Sequence, residues 1–165
     1  MSRYTLNIIV VFIICMAIKV NAQEFQQVTT RELTERSKKI IIGTVVDEYS
    51  AWDDLGREIY TYIRLKVQST IKSSNKDSLV LIRQLGGKVG NIESHVPGIS
   101  QFQVGENVLV FLGPYRGTPY FGLIDWRVGK YAIKDVASKK LLKGNGQGNG
   151  LEVAQFVAKV RKYLE

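Results

Sequence analysis

The stretch Glu58-Ile59-Tyr60-Thr61-Tyr62-Ile63-Arg64-Leu65-Lys66-Val67-Gln68 decides the fold class. Ile59, Thr61, Ile63, Leu65 and Val67 fall on one face, and Tyr60, Tyr62, Arg64, Lys66 and Gln68 on the other. Strict alternation over this length is the period of a strand with one face buried, and a helix cannot bury that set together. On the N-terminal side, Trp52-Asp53-Asp54-Leu55-Gly56-Arg57 reads as a hairpin turn. It joins this strand to Lys39 to Tyr49 (KIIIGTVVDEY), which starts as an apolar run and ends polar. On the C-terminal side, Ser73-Ser74-Asn75-Lys76-Asp77 is a second turn leading to a strand over Ser78 to Leu85.

Further out, Glu106 to Leu112 (ENVLVFL) is an almost wholly apolar strand closed by a break at Gly113-Pro114. Tyr120 to Trp126 and Lys130 to Lys134 give two more strands around a Val128-Gly129 turn. A helix precedes the strands around Thr30 to Lys38, with Thr29 and Glu32 at capping-box spacing. Another closes the chain over Leu151 to Leu164, where Val153, Phe156, Val157, Val160 and Leu164 share one stripe. Five or six strands in a run between two helices predict a mainly β domain, a small antiparallel OB-like β-barrel with an N-terminal and a C-terminal helix. An open α+β sheet with both helices on one face is the alternative.

Before the domain, Arg3 and the 11-residue apolar run from Ile8 to Ile18 have the form of a signal peptide. The run is well short of the roughly 20 residues that span a bilayer. Val20-Asn21-Ala22 offers small residues for the peptidase, so cleavage is expected after Ala22 and the mature chain begins at Gln23. Cys15 sits in the apolar run without the small residues of a lipobox. The expected organisation is a signal peptide over 1–22, a barrel with its N-terminal helix over 23–143, a Gly/Asn linker over 144–150 and a terminal helix over 151–165. The destination is periplasmic or extracellular, with no transmembrane anchor in the mature chain.

Cys15 is the sole cysteine, so the exported chain is expected to enter an oxidising compartment without disulfides. With one histidine and one cysteine in the sequence, structural zinc sites and a CxxC redox centre are excluded. No cofactor or metal is expected. The formal charge of +8 falls by two when Arg3 and Lys19 are removed, leaving a basic surface suited to anionic partners.

Several residues together resemble a family of exported bacterial proteins to which no activity is assigned. They are Ile41-Ile42-Gly43-Thr44-Val45-Val46, Ile59-Tyr60-Thr61-Tyr62, Arg83-Gln84-Leu85-Gly86-Gly87, Phe102 with Val104-Gly105-Glu106-Asn107-Val108-Leu109-Val110-Phe111-Leu112, and Gly129-Lys130-Tyr131. The set covers about residues 28 to 135. More remotely, the layout is similar to the OB-like barrel of tissue inhibitors of metalloproteinases and netrin-like modules. That likeness implies the barrel. It does not carry the inhibitory mechanism across, because those inhibitors use an N-terminal, disulfide-tethered cysteine, whereas Gln23-Glu24-Phe25 is the expected start here.

Gly86 to Phe102 (GGKVGNIESHVPGISQF) has no sustained period and is a long excursion, the kind of loop that often carries function. Lys88 and His95 on it are candidate partner-binding residues. Gly87-Lys88-Val89-Gly90 matches the GxxG of nucleic-acid clamps but follows a strand rather than a helix, so it reads as turn geometry and no specific nucleic acid is expected. A second candidate surface is the strand face with Tyr60, Tyr62, Arg64 and Lys66. It could stack sugars or bases and pair with anions, or its tyrosines could pack beneath the terminal helix. Trp52 is a contact residue if exposed on its loop tip and a plug if buried.

Catalysis has little material. His95 beside Ser94, with Asp53, Asp54 and Asp125, lacks the surroundings of a nucleophile elbow. Asp47, Glu48, Asp53 and Asp54 lack the ladder of a calcium loop. Gly144 to Gly150 matches no phosphate-loop pattern and reads as a flexible tether. The expectation is a non-enzymatic module binding a protein or envelope component through loop 86–102. Inhibition of an exported protease, and polyanion or oligosaccharide binding by the aromatic and basic face, are the alternatives.

Overall fold

The computed structural model describes residues 28–115 and 117–165. The expected signal peptide, its cleavage site and Cys15 lie outside the described residues. Helix α1 (Thr30–Arg36) is followed by β1 (Lys39–Trp52), β2 (Ile59–Lys72) and β3 (Leu79–Leu85). The excursion holds a small hairpin, β4 (Gly87–Val89) and β5 (Ile92–Ser94). Then come β6 (Asn107–Pro114), β7 (Phe121–Leu123), β8 (Lys130–Val136), β9 (Lys139–Lys143) and helix α2 (Val153–Lys162).

The sheet runs β1-β2-β3-β7-β6 and closes because β6 also pairs with β1. All these pairings are antiparallel except β3 with β7, which is parallel and confined to Ile82 opposite Phe121. Closing so few strands demands strong coiling, and three register shifts between β1 and β2 supply it. At the shift beside Gly43 the two backbones come so close that a Cβ there would lie 2.6 Å from the Lys66 carbonyl oxygen.

Two cores explain the two kinds of strand pattern. Ile41, Val45, Ile63, Leu65, Val80, Ile82, Val108, Val110 and Leu112 fill the barrel with Phe102. Leu109 and Phe111 point the other way, into a second core with Ile40, Leu33 of α1, Tyr131, Leu142, and Phe156 and Val160 of α2. β6 is therefore apolar on both faces because both faces are covered. The α1 capping box forms as its spacing predicts, with Thr29 and Glu32 exchanging hydrogen bonds.

Three local readings change. β6 continues through Gly113 and Pro114, where the sequence predicts a break, because both residues pair with β7 at the strand's end. β9 is absent from the sequence reading: its hairpin with β8 turns on Ala137 and Ser138, both at positive φ, without the Asn-Gly signal that such turns usually carry. The segment 144–150 is a packed loop rather than a free tether. Gln147 accepts from the Thr30 amide at the start of α1, and the Gly148 amide donates to the Tyr131 hydroxyl. A Cβ at Gly146 or Gly148 would strike Tyr131 or Phe156, so the repeated glycines here answer to space.

Candidate binding site

Beyond Ile82 and Phe121 the pairing of β3 with β7 stops, although β3 continues to Leu85 and β7 to Leu123. A cleft of about 350 Å³ lies there. Its apolar lining includes Leu85 of β3, Val96 and Ile99 of the excursion, and Leu123 and Ile124. Arg83, Gln84, Tyr115 and Trp126 also line it. The excursion is thus one wall of the cleft, and it is fastened at both ends. The Gly86 amide donates to the Ile59 carbonyl, and the Ser100 amide to that of Trp126. Lys130 reaches the Gln101 carbonyl and pairs with Glu106 at 2.7 Å. Gly87, at φ 135°, sits against the Ser50 and Thr61 hydroxyls, a place where only glycine fits by both conformation and space.

The tyrosine-bearing face is built by register. Tyr49 lies opposite Tyr62 and Tyr62 opposite Arg83, while Tyr60 lies opposite Leu85. The segment after β6 then folds over this face. Tyr115 meets Tyr60 edge-on at 6.2 Å and Tyr120 meets Tyr62 edge-on at 5.3 Å, while Tyr49 stacks on Tyr62 at 5.1 Å. The Arg83 guanidinium sits 3.7 Å over the Tyr60 ring centre and within 6 Å of the rings of Tyr62, Tyr115 and Tyr120. Such cation–π placement is favourable once water is excluded. Tyr60 is consequently buried, but beneath Arg83 and Tyr115 and not beneath α2, which covers the opposite side of the barrel.

The predicted residues separate into two groups. Trp52, 38% exposed at the end of β1, shares one end of the barrel with the β4–β5 hairpin, which carries Lys88 and is followed directly by His95, both exposed. Lys88 lies opposite Glu93. Arg64 and Lys66 are exposed further along β2, and Arg64 pairs with Asp47 at 3.6 Å. Tyr60 and Tyr62 belong to the tyrosine cluster and do not form one open strip with Arg64 and Lys66. The sequence reading passed over Arg83, Gln84, Tyr115 and Tyr120. Alternation along β3 was the available signal for Arg83, since Leu79, Leu81 and Arg83 must share the face of Tyr62 once the hairpin register is known.

The other candidate constellations are not assembled. No hydrogen bond joins His95 to Ser94, Asp53, Asp54 or Asp125 among the described residues. Asp53 closes its own turn, accepting from the amides of Arg57 and Glu58. Among the described residues no three His, Cys, Asp or Glu side chains gather as a metal site, and no helix is long and apolar enough to cross a membrane.

Burial and bonding shift the phenols. Tyr60 donates to the Glu58 carboxylate, and that bond, aided by burial, pushes its pKa up to about 12. Burial also raises Tyr62, with Arg83 opposing. Because the folded phenol holds its proton above the ordinary value of 10, its contribution to stability is whole below pH 10 and is lost as pH rises through about 12. Ultraviolet difference titration of the chain against its Tyr60→Phe variant should show this phenolate appearing near pH 12. In Glu58→Gln it should appear earlier; an unchanged midpoint there would mean that the carboxylate is not the cause.

Compared with known proteins, the chain matches no protein-family model and no curated protein.

Proposed function

We propose that the chain is an exported, non-enzymatic binding module that engages a protein or envelope component through the barrel end bearing the 86–102 loop. One observation carries the reading: Trp52 at the end of β1, Leu55 in the β1–β2 turn and Ile92 on β5 are 38%, 68% and 54% exposed, large apolar side chains on the turn and on the hairpin whose strand β4 packs against β1 and β2. Exposed apolar groups among polar and charged ones, here Lys88, Glu93 and His95, are characteristic of contact surfaces. A loop held at both ends loses little further entropy on binding. Restraint of an exported protease is one form of the same reading, suggested by the likeness to metalloproteinase inhibitors. It would require a contact unlike theirs, since no cysteine follows Ala22.

Crosslinking capture from the native envelope, with the chain and with Leu55→Asp and Ile92→Asp variants, tests it. A partner captured by the parent and lost in both variants supports the reading. A partner retained by both moves the contact to the Tyr49, Tyr62, Arg64 and Lys66 side. Capture there that falls steeply with salt would instead identify a polyanion binder.

A further inference from the structure

The basic charge of the chain is concentrated at its C-terminal end. From Lys130 onward there are eight Lys or Arg against three Asp or Glu, whereas Gln23 to Arg127 holds thirteen against twelve. Lys159, Arg161 and Lys162 lie in the last turn of α2, where cations offset the partial negative charge of the helix end. The β8–β9 hairpin has no such use for its lysines. Pairing of β6 with β8 ends at Val108 opposite Ala132, so beyond that point β8 and β9 continue as a two-stranded ribbon. Register divides the ribbon's faces: Ile133 and Leu142 turn to the α2 core, with Asp135 opposite Lys140 on the same side. The other face carries Lys143 opposite Ala132, Lys134 opposite Leu141 and Lys139 opposite Val136, and has no carboxylate of its own. All three lysines are exposed, and none makes an ion pair among the described residues. At its base this lysine face runs into a polar cleft of about 150 Å³, whose lining includes Ser100, Gln101, Arg127, Lys130, Lys143 and Asn145. No Asp or Glu and no aromatic ring is among the described residues that line it. Lys130 is engaged by Glu106 and the Gln101 carbonyl, and Arg127 by Asp125 at 3.7 Å, so Lys143 is the cation there with no ion pair.

We propose that the lysine face of the β8–β9 hairpin and the cleft at its base bind an acidic polysaccharide. Lys139 and Lys143 stand four residues apart on one strand, about 14 Å, with Lys134 between them on the neighbouring strand. No single small anion reaches all three, so the ligand carries its charges in series. Three features of this surface select among polyanions. Single-stranded nucleic acid is held by stacking its bases on aromatic rings, and this face has none. A membrane-surface element needs large apolar or aromatic groups to sink below the headgroups; here Ala132 is buried, Leu141 is half-buried and only Val136 is exposed. Neutral hydroxyl and amide side chains, Ser100, Gln101 and Asn145, instead line the cleft beside Lys143, as a hydroxyl-rich chain with intermittent charge requires. The strand face of Tyr60, Tyr62, Arg64 and Lys66 is less suited to such a chain, because Tyr60 is buried and Arg64 is paired with Asp47.

The test measures binding of the chain to polygalacturonate, dextran sulfate and uncharged dextran as salt is varied. At least one acidic polymer should bind, and dextran should not. Affinity should fall roughly thirtyfold between about 50 and 200 mM salt, as counterion release at three neutralised lysines requires. Lys134→Gln, Lys139→Gln and Lys143→Gln should each lower the slope of log affinity against log salt by about one, and the triple variant should bind at least about tenfold more weakly. Since these positions are exposed, thermal unfolding of the variants should match the parent. Arg64→Gln with Lys66→Gln should leave the slope unchanged. Galacturonic acid itself should not compete at millimolar concentration, because one carboxylate cannot span the three lysines. Tighter binding to oligothymidylate or to phosphatidylglycerol vesicles than to either acidic polymer overturns the assignment, as does a salt slope that follows Arg64 and Lys66. Absence of binding also overturns it, and aggregation of the triple variant would then assign the lysines to guarding the β9 edge against strand pairing. Polysaccharide binding that persists in Leu55→Asp and Ile92→Asp without any captured partner sinks the proposed contact alone; a captured partner lost in those variants, with no polysaccharide bound, sinks this inference alone.

Discussion

Phe156→Ala is expected to lower the unfolding free energy by about 4 kcal/mol, within the range for emptying a fully buried phenylalanine site. Phe156 has no exposed surface, and its ring meets Tyr131 at 5.2 Å and Phe111 at 6.2 Å. It also lies against Gly148, so the 144–150 loop, α2 and the outer face of β6 all lose their common contact. Apart from its docked face, with Val160 beside Phe156, the helix has little local support. It has 10 residues, and its N-cap Glu152 makes no side-chain capping bond. An isolated helix below about 12 residues is marginal in water. Denaturant unfolding should therefore show the large loss, and limited proteolysis should cut within 144–150 in the variant before the barrel unfolds. Leu164→Ala, at a 39% exposed position, serves as the control and should change stability by less than about 0.5 kcal/mol. A Phe156→Ala loss of that small size would mean that α2 does not depend on its docking.

Gly43→Val is expected to cost about 3 kcal/mol and to disturb the barrel itself. The first added carbon would stand 2.6 Å from the Lys66 carbonyl oxygen and 3.3 Å from its carbon, both backbone atoms. Retreat is blocked, because Gly43 is paired with Val67 on one side and Val108 on the other. Overpacking usually costs 1–3 kcal/mol, with the upper end where neighbours cannot yield. Gly56→Ala provides the contrast. Nothing lies within 4 Å of its Cβ position, but φ is +64°, so it should cost only about 1 kcal/mol through backbone strain. Equal losses at the two positions, measured by thermal unfolding, would show that close approach of β1 and β2 is not what reserves Gly43.

The placement of Tyr60 shows how far local pattern reaches. Alternation along β2 assigns its side chain to the outer face, and that is where it lies. Whether an outer tyrosine is open or covered depends on what folds across it from elsewhere in the chain. Here Tyr115 and Arg83 do so, and no periodicity within Glu58 to Gln68 contains that information. The same reason hides the cleft. Gln84 looks like any strand-end polar residue until β7 pairs at Phe121 and then stops, leaving a gap beside it. The 144–150 loop was misleading for the opposite cause. Glycine at every second position signals freedom in an isolated chain, yet here it signals crowding by Tyr131 and Phe156.

What the sequence determined by itself was whatever depends on neighbours within a few residues. That comprises the α1 capping box, the amphipathic stripe of α2, the alternating strand β2, the doubly apolar β6 and hence a mainly β domain between two helices. Tertiary structure alone decided the closure of β6 onto β1, the single parallel contact at Ile82 and Phe121, and the meeting of Arg83 and Gln84 with the excursion loop at one cleft. Those features depend on contacts between segments tens of residues apart, whose energies come from packing and register rather than from any local propensity.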